Sequence, residues 1–379
     1  MSAWIITAAK VLLDGRFHEG LEVKMEDGRI VEIGERLQGG ERLCAPGKLL
    51  TPGLIDMHIH GLAGYDLATH PERVLDVAAR LPRYGVTAFL PTCAALPPAQ
   101  MHHFVEVVAT LRNSGAYVVG CHLEGPFLDD EFCGAINPDA LFAPSREAWR
   151  IITDGYEDWV RMMTMDPAAP HALEMADYLA DRGIVVSAGH SGADYAAAMD
   201  GFDHGFTKVT HLFNAMRGLH HREPALVGAA LTTPGVRCEV ICDLIHIHPA
   251  VLRHVFFSKG VDGMLPVTDA MMAAGLGEGV YELAGARVIV RGAEARLEAG
   301  NLAGSTLTMD QAMRNLVGIG IPAEDALTMA SRTAARAIGE DGRMGSIAPG
   351  YRADLVLWTP DLVVDSAYVG GRLWGGARA

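Results

Sequence analysis

The sequence predicts an α/β fold: a (β/α)8 TIM barrel with a small β-sandwich domain built from both termini. Three observations predict it. Eight strand-like runs recur through the middle of the chain, most of them separated by stretches long enough for a helix. Both ends instead alternate apolar and polar residues between short turn signals. The 379 residues suffice for one large barrel and one smaller unit.

Residues 1–50 supply the first part of the small domain. In ITAAKVLLDGRFHEGLEVKMEDGRIVEIG the alternation is broken at Asp14-Gly15 and Asp27-Gly28, both hairpin signals. The barrel is assigned to residues 51–343. Its strands are LLTPGLIDMHI, VTAFLPT, YVVGCHL, VRMMTM, GIVVSAG, TKVTHL, CEVICDL and GMLPVTD. Helices are expected in HPERVLDVAARLPRYG, PPAQMHHFVEVVATLRNSG, HALEMADYLADRG and ADYAAAMDGFDHG. Residues 344–379 return to the β texture, in GSIAPGYRADLVLWTPDLVVDSAYVGGRLW, and complete the small domain.

Composition narrows the function. A net charge of −15 argues against nucleic acid or an anionic membrane surface as partner. A phosphorylated substrate would then need local cations. No apolar run approaches the ~18 residues of a membrane span, and the N-terminus lacks the pattern of a signal peptide. The six cysteines include no CxxC pair and read as buried free thiols. Together these place the chain in the cytoplasm.

Five residues that suit a divalent metal follow apolar runs in chain order: His58, His60, Glu124, His190 and His211. Asp269 follows a similar run. Strand ends converge on one mouth of a barrel, so their placement matters more than their number. His58 and His60 alternate along a strand and so share a face. Taken alone, an HxH pair is weak evidence, and His190 or His211 alone would be an ordinary polar strand end. Glu124 could be a salt-bridged acid, and Asp269 a helix N-cap ahead of AMMAAG. His122 shares the face of Glu124 and reads as its support. Among the remaining histidines, His220, His221, His246 and His248 fall in loops on the functional face, with His246 the best placed. Arg222 and Arg217 are the cations of those loops, and for Arg222 a solvated surface role weighs as much as a functional one.

PGLIDMHIHG, HLEGPF, GHSGADY, THLFNAM, VTDAM, LAGSTLTMD and the closing GSIAPGYRADLVLW resemble the amidohydrolase superfamily. Within it the chain is similar, over nearly its whole length, to the deacetylases of N-acetylated amino-sugar phosphates. HLEGPF, HLFNAM and the following arginine are the more specific of these motifs. The resemblance implies release of acetate from N-acetyl-D-glucosamine 6-phosphate. It implies one or two divalent ions per subunit, zinc foremost, with iron, manganese or cobalt as alternatives. Glu124, His190 and His211 match the principal site, His58 and His60 the pair that allows a second ion, and Asp269 the catalytic acid–base. The substrate contacts fall on Ala135, Asn214, Ala215, Arg222, Asp243, Leu244, Ile245, His246, Leu302, Ala303 and Gly304, with Arg222 facing the phosphate. A homodimer with contacts crossing between subunits is also implied.

The sequence departs from that pattern in three places. Ile136 replaces a usual histidine, Leu244 a usual glycine, and Thr333-Ala334 a usual asparagine-proline. The first two bear on which sugar fits. Another N-acyl substrate (N-acetylgalactosamine 6-phosphate, an unphosphorylated N-acetylhexosamine or an N-acyl amino acid) or a non-catalytic scaffold stands as the alternative.

Overall fold

Eight parallel strands form a nearly closed barrel in the computed structural model, which describes residues 3–112 and 114–376. They are Leu54–Ile59, Val86–Ala94, Cys121–Glu124, Val160–Met165, Val185–Ala188, Phe206–Val209, Arg237–Ile241 and Met264–Val267. Neighbours in the barrel are neighbours in the sequence. The eighth meets the first just beyond its end, where Asp269 N–H donates to the His58 carbonyl at 2.9 Å and His60 N–H to that of Ala270 at 2.8 Å. Every strand overlaps one of the apolar runs read from the sequence, and four extend past it by one or two residues. Covered on both faces, these strands read as continuous apolar stretches; in Val86–Ala94 all nine residues are buried.

The interior below the mouth is polar. Thr92 Oγ1, His122, Thr164, Thr210 and Ser187 form a chain of side-chain hydrogen bonds of 2.6–3.2 Å. Each member's polar atoms are satisfied by the next, which makes burial of this layer tolerable.

Helices occupy Pro98–Thr110, Ala172–Ala180 and Tyr195–Asp203, inside the expected stretches. The expected helix over residues 70–85 is broken into two 3-10 turns, Pro71–Arg73 and Leu81–Tyr84, flanking a short helix, Val74–Ala78. Pro71 and Pro82 remove amide donors, and Gly85 ends the segment at φ 79°.

A second sheet takes strands from both ends of the chain. Its order is Arg372–Gly376, Val364–Val369, Leu355–Trp358, Glu41–Pro52, Trp4–Leu13, Glu22–Glu26 and Arg29–Gly34, with Arg16–Glu19 paired to Trp4–Leu13. Ile6, Val11, Val23, Ile30, Leu50, Leu355 and Leu357 form its core. Trp358 Nε1 donates to Thr51 Oγ1 at 2.8 Å, joining residues 307 positions apart. The long strand Glu41–Pro52 passes through Gly53 into the first barrel strand. A Cβ at Gly53 would lie 1.9 Å from Thr87 Oγ1, so only glycine allows this junction.

A third sheet, Gly279–Leu283, Ala286–Arg291 and Glu294–Leu297, follows the last barrel strand and reaches over the mouth. The sequence reading assigns no element to it.

Candidate metal centre and cleft

Six residues converge where the barrel strands end. His58 lies in the first strand and His60 one residue beyond it; Glu124 ends the third. His190, His211 and Asp269 each stand two residues past a strand, at φ 48°, 27° and 48°. Left-handed backbone is unfavourable for residues with a Cβ, and clusters of such residues characterise functional sites. Here the turn folds each side chain inward over the barrel axis.

Glu124 is the hub. Its Oε1 lies 3.1 Å from His190 Nε2, 3.0 Å from His211 Nε2 and 3.3 Å from His58 Nε2; its Oε2 lies 3.2 Å from His60 Nε2. Asp269 Oδ1 lies 3.2 Å from His60 Nε2 and 3.5 Å from His58 Nε2. Two triads result, Glu124–His190–His211 and His58–His60–Asp269, each with donor atoms within 4.8 Å of one another. All six residues are buried.

Hydrogen bonds identify the free nitrogens. His190 Nδ1–H donates to the Phe132 carbonyl at 3.0 Å, and His58 Nδ1–H to Glu239 Oε2 at 3.0 Å. Both rings therefore turn an Nε2 lone pair toward Glu124. His58 and His60 Nε2 face each other at 3.1 Å, as do His190 and His211 Nε2. Lone pairs so arranged around a carboxylate repel unless a cation lies among them. His60 and His211 also bury an Nδ1 with no partner. The donor set, imidazole nitrogen and carboxylate oxygen, suits a divalent metal. The carboxylates also draw positive charge to this spot, taken up by protons on the rings where no ion is bound. Burial disfavours a charged His58, yet Glu124, Asp269 and Glu239 outweigh it and hold the ring well above the ordinary imidazole range. His60, likewise buried, is raised to about 9 by Asp269 and Glu124. Burial pushes Glu124 up, but the surrounding imidazoles hold it well below the usual carboxylate range.

His122 does not join either triad. It hydrogen-bonds Thr92 and Thr164, and its ring meets His58 edge-on at 4.7 Å. Two further residues, absent from the sequence reading, complete the floor. Lys208 and Glu239 are fully buried and in direct ionic contact. Their signal was a charge inside each of two apolar strand runs, TKVTHL and CEVICDL.

Above the two triads opens a cavity of about 550 Å³. Of the expected substrate contacts, Ala135, Asn214, Ala215, His246, Leu302 and Gly304 line it, and so does Ile136. Ala303 is buried behind the wall. Asp243, Leu244 and Ile245 lie outside the lining: Asp243 is spent on its own turn, accepting from Ile245 N and His246 N at 2.9 Å and from His246 Nδ1 at 2.6 Å. That last bond orients His246 toward the cavity. Arg222 is not in this cavity. It borders a separate surface depression with Arg217, Asp194 and Tyr195, and its Nη1 is 2.8 Å from His221 Nε2. The cation that does line the cleft is Arg296, carried by the third sheet and unforeseen from the sequence.

A parallel barrel with histidine, glutamate and aspartate donors at its mouth defines a metal-dependent hydrolase of the amidohydrolase type. The chain belongs to the amidohydrolase family, which it matches over residues 49–374. Among curated relatives, human N-acetylglucosamine-6-phosphate deacetylase is 36% identical over 97% of this chain and 94% of its own length. An N-acetylgalactosamine-6-phosphate deacetylase of Escherichia coli O157:H7 is 34% identical over 97% of this chain and 98% of its own. The fold superposes on an N-acetyl-D-glucosamine-6-phosphate deacetylase of Mycobacterium smegmatis, solved with N-acetyl-D-glucosamine-6-phosphate, with a TM-score of 0.92 and 31% identity, covering 99% of this chain and 100% of that one.

Proposed function

We propose that this chain is a metal-dependent deacetylase that hydrolyses N-acetyl-D-glucosamine 6-phosphate to glucosamine 6-phosphate and acetate, in amino-sugar catabolism. The observation that carries the reading is the pair of triads that meet at Glu124, whose carboxylate also contacts His58 and His60, at the floor of a cleft sized for a sugar phosphate. Glu124, His190 and His211 would hold one divalent ion, and His58, His60 and Asp269 a second, with zinc the expected metal. Such an ion polarises the amide carbonyl and acidifies water at neutral pH.

The chain's own groups do the rest. Asp269 opens on the cavity, and burial against it is outweighed by His58 and His60, which hold its carboxylate below the usual range. It is thus ionised and ready to accept the proton of the attacking water. It then delivers that proton to the departing amine, a step required because an amide anion leaves poorly. Asn214, His246 and the Leu302–Gly304 loop would orient the sugar, contributing through proximity.

Arg222 lies outside its own cleft, and we assign it to the substrate phosphate of the partner subunit in a cytoplasmic homodimer. The three segments 1–50, 51–343 and 344–379 form the small domain, the barrel, and the small domain again.

Acetate release across N-acetylhexosamine phosphates tests the reading. N-acetylglucosamine 6-phosphate is expected to be turned over best. A preference for the galactosamine isomer would move the assignment to that second relative's substrate, which Ile136 and Leu244 at and beside the cleft keep in view. No metal-dependent acetate release from any of them would overturn it.

A further inference from the structure

The deacetylase chemistry makes no use of the ion pair beneath His58. Lys208 and Glu239 stand on adjacent barrel strands, Phe206–Val209 and Arg237–Ile241, and neither reaches solvent. A buried ion pair is weak as a source of stability; well-packed apolar residues of similar volume often do as well or better. This pair therefore calls for a local role, and its contacts supply one.

Glu239 uses both oxygens. One contacts Lys208 Nζ, which also lies 3.0 Å from Met57 Sδ. The other accepts His58 Nδ1–H at 3.0 Å and the His211 backbone N–H at 3.3 Å. The first bond fixes the tautomer of His58 and the direction of its Nε2. The second ties the same carboxylate to the loop that carries His211, a member of the other triad. His60 has no such support, since its Nδ1 is unpartnered. In the His58–His60–Asp269 triad, His58 is thus the ring whose aim is set from behind.

We propose that Lys208 and Glu239 are positioning residues that create the second metal position: Glu239 locks His58 with Nε2 aimed at Glu124 and Asp269, and Lys208 locks Glu239. This rests on the metal-dependent reading above. Ligating histidines generally donate their other ring N–H to such a partner, and loss of the partner typically costs ~10–100-fold in metal affinity.

Two double variants of the full chain separate positioning from charge burial. Both Lys208→Met/Glu239→Gln and Lys208→Met/Glu239→Leu remove the two charges together. Only the first keeps an oxygen to accept the His58 proton. Zinc titration against a chromophoric chelator reads the two binding steps. The natural chain and the glutamine variant are expected to take two equivalents. In the leucine variant the second step should weaken at least ~10-fold while the first changes little. Equal second-step affinity in the two variants would overturn the proposal, as would a natural chain that takes a single equivalent. Should the leucine variant fail to fold, ¹⁵N-histidine NMR of the zinc-loaded natural chain decides. A hydrogen-bonded proton on His58 Nδ1 is expected, and a proton on Nε2 would overturn it. These readouts do not depend on turnover, so failure of the deacetylase assignment would be seen separately, as absent acetate release.

Discussion

Replacing Asp269 by asparagine separates the chemistry of its carboxylate from its part in the backbone. Its backbone is part of the barrel seam: the amide donates to the His58 carbonyl at 2.9 Å, and the carbonyl accepts from Ser305 N–H at 2.8 Å. Its φ of 48° is left-handed, a conformation asparagine tolerates better than most residues. The variant should therefore keep its backbone bonds, its volume and its melting temperature. An uncharged amide, however, neither takes a proton from water nor returns one to the amine. General acid–base groups contribute roughly 10²–10⁴-fold, which corresponds to about 2.7–5.4 kcal/mol of barrier. The ion assigned to Glu124, His190 and His211 should be retained, because Asp269 is not one of its ligands. The assay is kcat for acetate release beside metal content after dialysis. Natural turnover under conditions where chemistry limits would refute the role. Loss of that ion in step with activity would show that the defect lies in metal binding and not in proton transfer.

Glu124→Gln, His190→Asn and His211→Asn should each strip most of the bound metal, measured after exhaustive dialysis, with milder losses for changes at His58 or His60; a full equivalent retained by the Glu124 variant would remove it as a ligand. Arg222→Ala should raise KM for the phosphorylated sugar at least ~10-fold, from loss of a charged hydrogen bond worth about 1.5–3 kcal/mol, and spare the unphosphorylated one. Equal losses on both sugars would show that Arg222 serves structure. Glu22, hydrogen-bonded by Arg42, by the Leu37 amide and by Thr7, has its carboxyl held below the ordinary value of 4.5. It therefore stabilises the fold above that value, and the contribution disappears as pH falls through the depressed one. Glu22→Gln should flatten the acid dependence of the melting temperature as pH falls below the ordinary value of 4.5, and an unchanged slope would refute this.

The candidate metal donors were legible because barrel topology does most of the work. Once a histidine or carboxylate is placed at a strand end, parallel closure brings it to the same mouth, whatever lies between. The wall of the cleft was less legible, because it depends on how loops fold over that mouth. Asp243 sits in the right loop, yet its carboxylate is consumed by the amides of Ile245 and His246. Arg222 sits in the right loop too, but the chain carries it to a neighbouring depression. The third sheet went unassigned although VYELAGARVIVRG alternates on either side of Ala284-Gly285, a two-residue turn with both φ positive. Its position after the eighth strand, where no barrel element was needed, hid it. Lys208 and Glu239 were missed for a different reason: a lone charge in a strand looks like its solvent face, and only the closed barrel shows that these strands have none.

The sheet that draws on both ends of the chain has a consequence for biosynthesis. A ribosome releases Trp4–Leu13 and Glu41–Pro52 long before Leu355–Trp358, the strand that lies beside Glu41–Pro52. Closing a loop of 307 residues costs about 5 kcal/mol of chain entropy, so this pairing comes late. Until then one edge of Glu41–Pro52 has no neighbour, and exposed edges invite pairing with other chains. The same strand leads directly into His58 and His60. A nascent chain can therefore assemble Glu124, His190 and His211 while the histidine pair still hangs from an unfinished sheet, and arrest or truncation before the last strands would favour aggregation over a half-built enzyme.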